Sequence, residues 1–248
     1  MEKSSRNRAP LYSAGKAVRN ALRRLGSRWR WAARSEPLSR NFGFDRGTPI
    51  DRHYIELFLG SHAHRIAGRV LEIGDATYSR RFGVEAVSQQ EVLHVHPGNP
   101  VATIVGDISD PLTLEDAAFD CIILTQTIHL IYDMKAALLQ IRRALKPGGV
   151  LLLTAPGITP LDQYEWQTTW YWSLSPIALQ RLVDEVFGSG SSQFSNYGNF
   201  YAASAFIDGA ALEEVNMHKL TGYDPVFPVI VAACATKMPA AVNESARS

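Results

Sequence analysis

From residue 50 onward, the apolar and polar positions alternate between helical and strand-like patterns. Apolar spacing predicts amphipathic helices over 51–66, 133–145, 176–187 and 202–220, the last interrupted by Gly209. Short, nearly continuous apolar runs predict strands at 69–73, 91–95, 102–105, 119–125, 150–154 and 226–234. Such runs are typical of strands buried on both faces of a parallel sheet. Strands separated by helices therefore predict an α/β fold with a doubly wound, mostly parallel sheet and helices on both faces.

The first 40 residues form a basic N-terminal arm that contains eleven Lys and Arg residues and two Glu residues. The arm carries a net charge of +9, which leaves −8 on residues 41–248. Its apolar residues recur at helical spacing, which predicts an N-terminal amphipathic helix that ends near residues 35–37. Either a membrane surface contacts residues 10–34, or the apolar stripe packs on the protein's own domain. A transit peptide also fits this composition. Nucleic acid is disfavoured because the rest of the chain is acidic.

Composition limits the class of protein further. The longest apolar runs fall short of the roughly 18 residues of a membrane-spanning helix. The two cysteines, Cys121 and Cys234, lie in strand-like runs and are expected to be small buried residues. No secretory signal pattern is present, so we expect a cytoplasmic protein that is peripheral to the membrane if the arm binds there. We predict three segments: the arm 1–40, one domain 41–238 and a disordered tail 239–248.

In an open parallel sheet, ligands bind beyond the carboxyl ends of the strands. The first predicted strand ends in Glu72, Ile73 and Gly74, and the third is followed by Asp107 and Ile108. The fourth opens with Phe119-Asp120, and Leu145-Lys146-Pro147-Gly148-Gly149 precedes the fifth. In this order and at these separations, the segments resemble those of class I (Rossmann-like) S-adenosylmethionine-dependent methyltransferases over residues 68–156.

The resemblance implies a Rossmann-like methyltransferase domain with S-adenosylmethionine as its cofactor. It places the following residues around the cofactor: Glu72, Ile73, Gly74, Asp75, Tyr78, Asp107, Ile108, Thr125 and Gln126. A glycine at position 74 lets an amino-acid moiety approach the strand end, and Glu72 offers a carboxylate to its ammonium. The alternatives left open are that Glu72 accepts hydrogen bonds from neighbouring amides and that Asp107 only forms a turn.

The chain departs from the family pattern at two points. The loop after Gly74 lacks further glycines until Gly83, and the second strand ends in His94-Val95-His96, where the family commonly has an acid that holds the ribose. Asp75 is a candidate for that task. The two histidines alone make a poor metal site, so no metal is predicted. Nicotinamide-binding, P-loop and nucleophile-elbow motifs are also missing.

Methyl transfer to a hydroxyl requires alignment and a proton acceptor. His129, just past the fourth strand, is the candidate catalytic base, the alternative being a packed or capping residue. Asp133 is expected to cap the following helix, as Asp51 caps an earlier one. Candidate acceptor-binding residues are Arg46 and Arg52, before the first strand, and Trp170 and Tyr171, in an aromatic segment after the fifth. Ordinary turns and core packing are the alternatives for these residues.

The sequence thus predicts a methyltransferase that methylates a hydroxyl of a sugar or another small metabolite. The 46–52 stretch, Arg-Gly-Thr-Pro-Ile-Asp-Arg, together with Leu-Glu-Ile-Gly-Asp at 71–75, also resembles a bacterial subgroup linked to the biosynthesis of glycans or glycosylated metabolites. A non-catalytic binding or regulatory module of the same fold is the first alternative. A nucleic-acid methyltransferase is the second, and the sequence does not indicate the oligomeric state.

Overall fold

A computed structural model describes residues 35–239. The described residues from Ser39 onward belong to one compact unit. Most of the predicted arm, with its membrane-contact region 10–34, lies outside the described residues, as does the predicted tail beyond residue 239. Within 35–239, no helix has the length and hydropathy needed to cross a membrane.

Seven strands form a single sheet in the order β3-β2-β1-β4-β5-β7-β6. Their bounds are β1 Gly68–Ile73, β2 Val87–His94, β3 Ile104–Val105, β4 Phe119–Thr125, β5 Leu145–Pro156, β6 Ser192–Tyr197 and β7 Ile230–Thr236. The first five strands pair in parallel, whereas β7 pairs antiparallel with both β5 and β6. The chain winds outward in both directions from the β1–β4 pair, which confirms the predicted doubly wound, mostly parallel sheet.

Within residues 35–239, four helices cover the two faces of this sheet. They are α1 Ile50–Ser61, α2 Met134–Ala144, α3 Pro176–Phe187 and α4 Phe200–Ile207. One core packs α2 and α3 against the sheet, and the other packs α1 and α4 against the opposite face. In β4, Ile122 and Leu124 face the first core, whereas Cys121 and Ile123 face the second. This double burial explains the continuous apolar run of the strand. Both cysteines are buried and free, as predicted.

Of the two predicted helix caps, Asp133 is confirmed and Asp51 is wrong. The Asp133 carboxylate accepts a hydrogen bond from Ala136 N at 2.9 Å, which confirms it as the cap of α2. Asp51 is not a cap: α1 begins at Ile50, Pro49 holds the N-cap position, and Asp51 lies in the first turn. The same helix ends at Ser61 rather than at 66. The Ser61 hydroxyl donates to Phe58 O, and a short 3₁₀ turn follows.

The chain after α3 differs most from the predicted pattern. The edge strand β6 was not predicted, because its sequence Ser-Gln-Phe-Ser-Asn-Tyr lacks an apolar run. The helix predicted over 202–220 is wrong beyond Ile207, where α4 stops. Gly209 then takes a left-handed conformation (φ +72°) with its Cα close to the Ser39 backbone, and 3₁₀ turns replace the helix.

The Phe-Asp pair at the start of β4 has a structural role. The Asp120 carboxylate accepts hydrogen bonds from Arg69 N at 2.8 Å and from Lys146 Nζ at 2.7 Å. It thereby joins the starts of β1, β4 and β5. Gly68 packs directly against this carboxylate with φ +73°, a conformation that disfavours residues with a Cβ.

We predict that Gly68→Ala lowers the free energy of unfolding by more than Gly148→Ala, as measured by urea denaturation. Both glycines have positive φ, but a Cβ at Gly68 collides with Asp120, whereas one at Gly148 meets nothing within 4 Å. The backbone conformation costs about 1–2 kcal/mol in each variant. The collision adds about 1–3 kcal/mol at Gly68 alone. Equal losses would contradict the tight contact with Asp120.

Candidate active site

A cleft of about 770 Å³ lies at the carboxyl ends of β1, β2, β3 and β4. All nine residues predicted to surround the cofactor line it: Glu72, Ile73, Gly74, Asp75, Tyr78, Asp107, Ile108, Thr125 and Gln126. The topology explains this convergence, because the ends of neighbouring parallel strands share one edge of the sheet. Of the other predicted site residues, Arg52 and Tyr171 line the cleft.

Glu72 holds the loop that follows β1. Its side chain is buried, and its carboxylate accepts hydrogen bonds from Tyr78 N at 3.0 Å, Ser79 N at 2.8 Å and Ser79 Oγ at 2.5 Å. Burial raises the pKa of Glu72, although these hydrogen bonds act in the opposite direction. The interaction with neighbouring amides, left open by the sequence, is therefore present. It orders a loop that contains fewer glycines than the family pattern.

Gly74 gives this loop an open backbone surface. Its φ of +88° is left-handed, and a Cβ there would point into empty space beside the cleft. Gly74 N donates to Leu93 O at 3.0 Å, and the Asn99 amide donates to Gly74 O at 2.6 Å. The bare backbone of Gly74 can therefore meet an extended ligand such as an amino-acid moiety. Sequence analysis missed Asn99, because a Pro-Gly-Asn-Pro turn does not show which carbonyl its side chain will bind.

Arg52 joins the cleft to the same loop. Its guanidinium donates to the Tyr78 hydroxyl at 2.9 Å, which ties α1 to the residues held by Glu72. Burial by itself would lower the pKa of Arg52. The interactions with Asp51, Tyr78 and Asp75 outweigh this effect, so the pKa of Arg52 is raised. No carboxylate within residues 35–239 forms a salt bridge with Arg52. A cation in this setting is suited to an anionic group of a ligand.

Two carboxylates, Asp75 and Asp107, flank the end of β2. The family commonly has an acidic residue at the end of this strand, and this chain has none there. Asp75 accepts from Thr77 N, and Asp107 accepts from Ser109 N, each at 2.8 Å through one oxygen. The second oxygen of each accepts no hydrogen bond from the described residues. His94 and His96 also line this region. The group can therefore offer acceptors to ribose hydroxyls and to an exocyclic amine without an acid at the end of β2.

Backbone strain marks the end of β4. Gln126 has a φ of +46°, which is unfavourable for a residue with a side chain, and Gln126 N donates to Thr154 O at 3.0 Å. Such strained residues cluster at functional sites, where the surrounding structure fixes them. Thr125, Gln126 and Thr127 all line the cleft as the chain leaves the strand.

His129 does not reach the cleft. It is 1% exposed, its two ring nitrogens have no partner among the described residues, and burial lowers its pKa to about 3. Its ring packs edge-on against the Trp170 ring, with 4.4 Å between the ring centroids. The Trp170 ring in turn stacks on that of Phe42, with 5.7 Å between centroids. The His129 carbonyl accepts from Tyr171 N and Trp172 N, each at 3.2 Å. His129 thus packs behind the cleft wall and supports the segment that carries Tyr171.

Trp170 and Arg46 also lie outside the cleft lining. Trp170 packs against His129 and Phe42, whereas its neighbours Thr169 and Tyr171 line the cleft. Arg46 forms a salt bridge with Glu214, 168 residues away in sequence. Sequence analysis could not detect this distant partner. The lining residues that were not predicted as site residues include Tyr132, Asp133 and Trp166.

Comparison with known proteins gives the site its chemistry. Residues 67–153 match the family model described as a methyltransferase domain. The match covers about a third of the chain, and the fold and cleft described above contain it. The cofactor is S-adenosylmethionine, which the residues around Gly74 and Asp107 suit. A comparison with curated proteins finds no match.

Solved structures share the fold. One is the complex of the Haloferax volcanii Trm112 methyltransferase activator with a methyltransferase, at 14% identity and a TM-score of 0.50, over 76% of this chain and 92% of that chain. Another is an S-adenosylmethionine-dependent methyltransferase from Archaeoglobus fulgidus, at 12% identity and a TM-score of 0.50, over 75% and 94%. These likenesses confirm the Rossmann-like methyltransferase architecture.

We predict that burial of neutral His129 makes stability depend on pH. Its pKa is 6.5 when unfolded and about 3 when folded, so the unfolded chain binds more protons between these values. Acidification from pH 7 to 5 should therefore cost the wild type about 2 kcal/mol more than His129→Leu. Urea denaturation at both pH values measures this difference. Equal losses in the two proteins would show that His129 reaches solvent.

Proposed function

We propose that this protein transfers a methyl group from S-adenosylmethionine to a hydroxyl of a sugar or another small metabolite. The observation that carries the proposal is the division of the cleft into two halves of different chemistry. The half over β1, β2 and β3 presents glycine backbone and carboxylates. The half beyond β4 presents aromatic rings with interspersed polar groups.

The first half suits the cofactor. The methionine moiety lies along Gly74, and its carboxylate meets the Arg52 guanidinium. The adenosyl part extends toward Asp107, with Ile108 against the adenine. This arrangement moves Arg52 from the acceptor, where sequence analysis put it, to the cofactor. Its hydrogen bond to Tyr78, on the loop held by Glu72, supports the change.

The second half suits a ring-shaped acceptor. Tyr132 and Tyr171 pack edge to face at 5.4 Å, yet remain 71% and 47% exposed. Trp166 adds a third aromatic side chain, and Thr169 and Asp133 supply polar groups between the rings. Exposed aromatic faces beside hydrogen-bonding groups fit the apolar faces and hydroxyls of a sugar.

Asp133 is the proton acceptor in this proposal. One of its oxygens caps α2, and the other accepts no hydrogen bond from the described residues. When bound, the cofactor supplies a methyl group on a sulfonium sulfur that keeps the bonding electron pair on transfer. Asp133 takes the hydroxyl proton as the acceptor oxygen forms its bond to that methyl group, and later releases the proton to water. The aromatic walls hold the acceptor in line with the breaking bond.

Calorimetric titration with S-adenosylmethionine and S-adenosylhomocysteine tests the cofactor half. We expect both to bind with one site per chain. Arg52→Gln should weaken both about tenfold to a hundredfold, because a charged hydrogen bond to carboxylate is lost. Arg46→Gln is the matched control and should bind as the wild type does, since Arg46 pairs with Glu214. Absence of binding to the folded wild type would favour a non-catalytic module.

Transfer of tritiated methyl groups to a panel of p-nitrophenyl glycosides tests the acceptor half. Asp133→Asn should retain the helix cap, because Asn caps as well as Asp does. It should lower kcat by roughly 10²–10⁴ without changing cofactor affinity, and its rate should recover as pH rises. His129→Leu should keep most of the rate.

Two results would contradict this assignment. Near-normal transfer by Asp133→Asn would remove Asp133 from the chemistry, and a comparable loss in His129→Leu would restore His129 as the base. Cofactor binding without transfer to any glycoside would contradict the sugar acceptor and leave the cofactor site in place.

A further inference from the structure

A second cavity, of about 430 Å³, opens at the edge of the sheet opposite the cleft. We name it the lower cavity. Three segments line it: the turn after α1, the start of β6 and the end of β7. β6 begins at this edge, and the turn that leads into β1 also lies there. The antiparallel β7 ends at the same edge. The lower cavity therefore lies at the amino ends of the parallel strands, away from the methyltransferase site.

The ionisable side chains of the lower cavity favour an anion. His62, His64 and Arg65 line it, and none of the described acidic residues does. Arg65 forms no salt bridge with a carboxylate of residues 35–239. The surrounding chain is acidic, with a net charge of −8 over residues 41–248, so this basic concavity stands against the general charge of the domain.

Hydrogen bonds orient these groups toward the cavity. Arg65 donates one N–H to Thr236 Oγ1 at 3.3 Å, and its other guanidinium N–H groups have no hydrogen-bond partner among residues 35–239. Thr236 accepts in that bond, so its own hydroxyl proton is available to a ligand. His62 Nδ1 lies 2.9 Å from Phe58 O. A carbonyl can only accept, so Nδ1 carries a proton. Nε2 then donates to a ligand oxygen when the ring is protonated, and accepts from a P–OH group when the ring is neutral.

We propose that the lower cavity binds a phosphate group, either free inorganic phosphate or the headgroup of an anionic phospholipid. The planar guanidinium and the Thr236 hydroxyl donate to the acceptor oxygens of a tetrahedral oxyanion, and the two imidazoles add donors when protonated or accept from a P–OH group when neutral. The cavity is large enough for the whole group, and its open mouth admits one that belongs to a larger molecule. This binding is independent of methyl transfer.

Titration of the full-length ¹⁵N-labelled protein with sodium sulfate and sodium phosphate tests the proposal, with sodium chloride of equal ionic strength as reference. We expect saturable amide shifts confined to the lower cavity, at His62, Arg65, Ser192 and Thr236. Arg65→Gln should weaken binding roughly tenfold. Arg181→Gln is the matched control, because it removes a charge from an exposed arginine on α3 and should leave binding unchanged.

Shifts that do not saturate, or that spread over the surface, would overturn the proposal. So would wild-type affinity in Arg65→Gln. If that variant does not fold, His62→Gln takes its place with the same expected loss. Flotation with phosphatidylcholine vesicles, with and without phosphatidic acid, distinguishes the two sources. A lipid headgroup requires weaker flotation of Arg65→Gln than of the wild type, and the basic arm is present in both proteins.

Discussion

The hydrogen bonds of a buried carboxylate at the end of β1 are the interaction on which the candidate active site depends. Glu72 accepts two amide hydrogen bonds and one hydroxyl hydrogen bond from residues 78 and 79. It thereby closes the loop that begins at Gly74. Loss of such an acceptor would leave buried donors unpaired, at a cost of about 1–3 kcal/mol each. The loop in turn places Tyr78, which binds Arg52 of α1. One side chain thus connects the central strand to the helix that borders the cleft.

The strand order of the sheet gives the cleft two sides. Because winding reverses between β1 and β4, the ends of these strands leave a crevice rather than a continuous surface. Loops from β1, β2 and β3 provide one side, and the turn after β4 with the aromatic segment after β5 provides the other. The His129 carbonyl fixes that aromatic segment through two amide donors. His129 therefore supports the side proposed for the acceptor without entering the cleft.

The elements that could be predicted from sequence are those whose pattern has a single physical cause. β4 was predicted at its true bounds because both faces are buried, and α2 was placed by its apolar stripe and its Asp133 cap. The polar edge strand β6 could not be predicted, since nothing in its sequence requires burial on both sides.

Within the site, strand-end residues were predictable because the backbone direction fixes where they lie. His129 was not, because it lies in a 3₁₀ turn, Ile128–Leu130, where adjacent residues face different sides. Its neighbour Leu130 lines the cleft, whereas His129 does not. The prediction that Arg46 binds the acceptor did not anticipate its salt bridge, because its partner Glu214 is distant in sequence.

We propose above all that the cofactor lies along β1, with its reactive sulfur facing the aromatic half of the cleft. A crystal structure of the complex with S-adenosylhomocysteine tests it most directly. The account predicts the ligand carboxylate at Arg52, the adenine beside Ile108 and the sulfur directed toward Tyr132 and Asp133. A ligand bound outside the cleft, or bound with its sulfur turned away from Asp133, would contradict it.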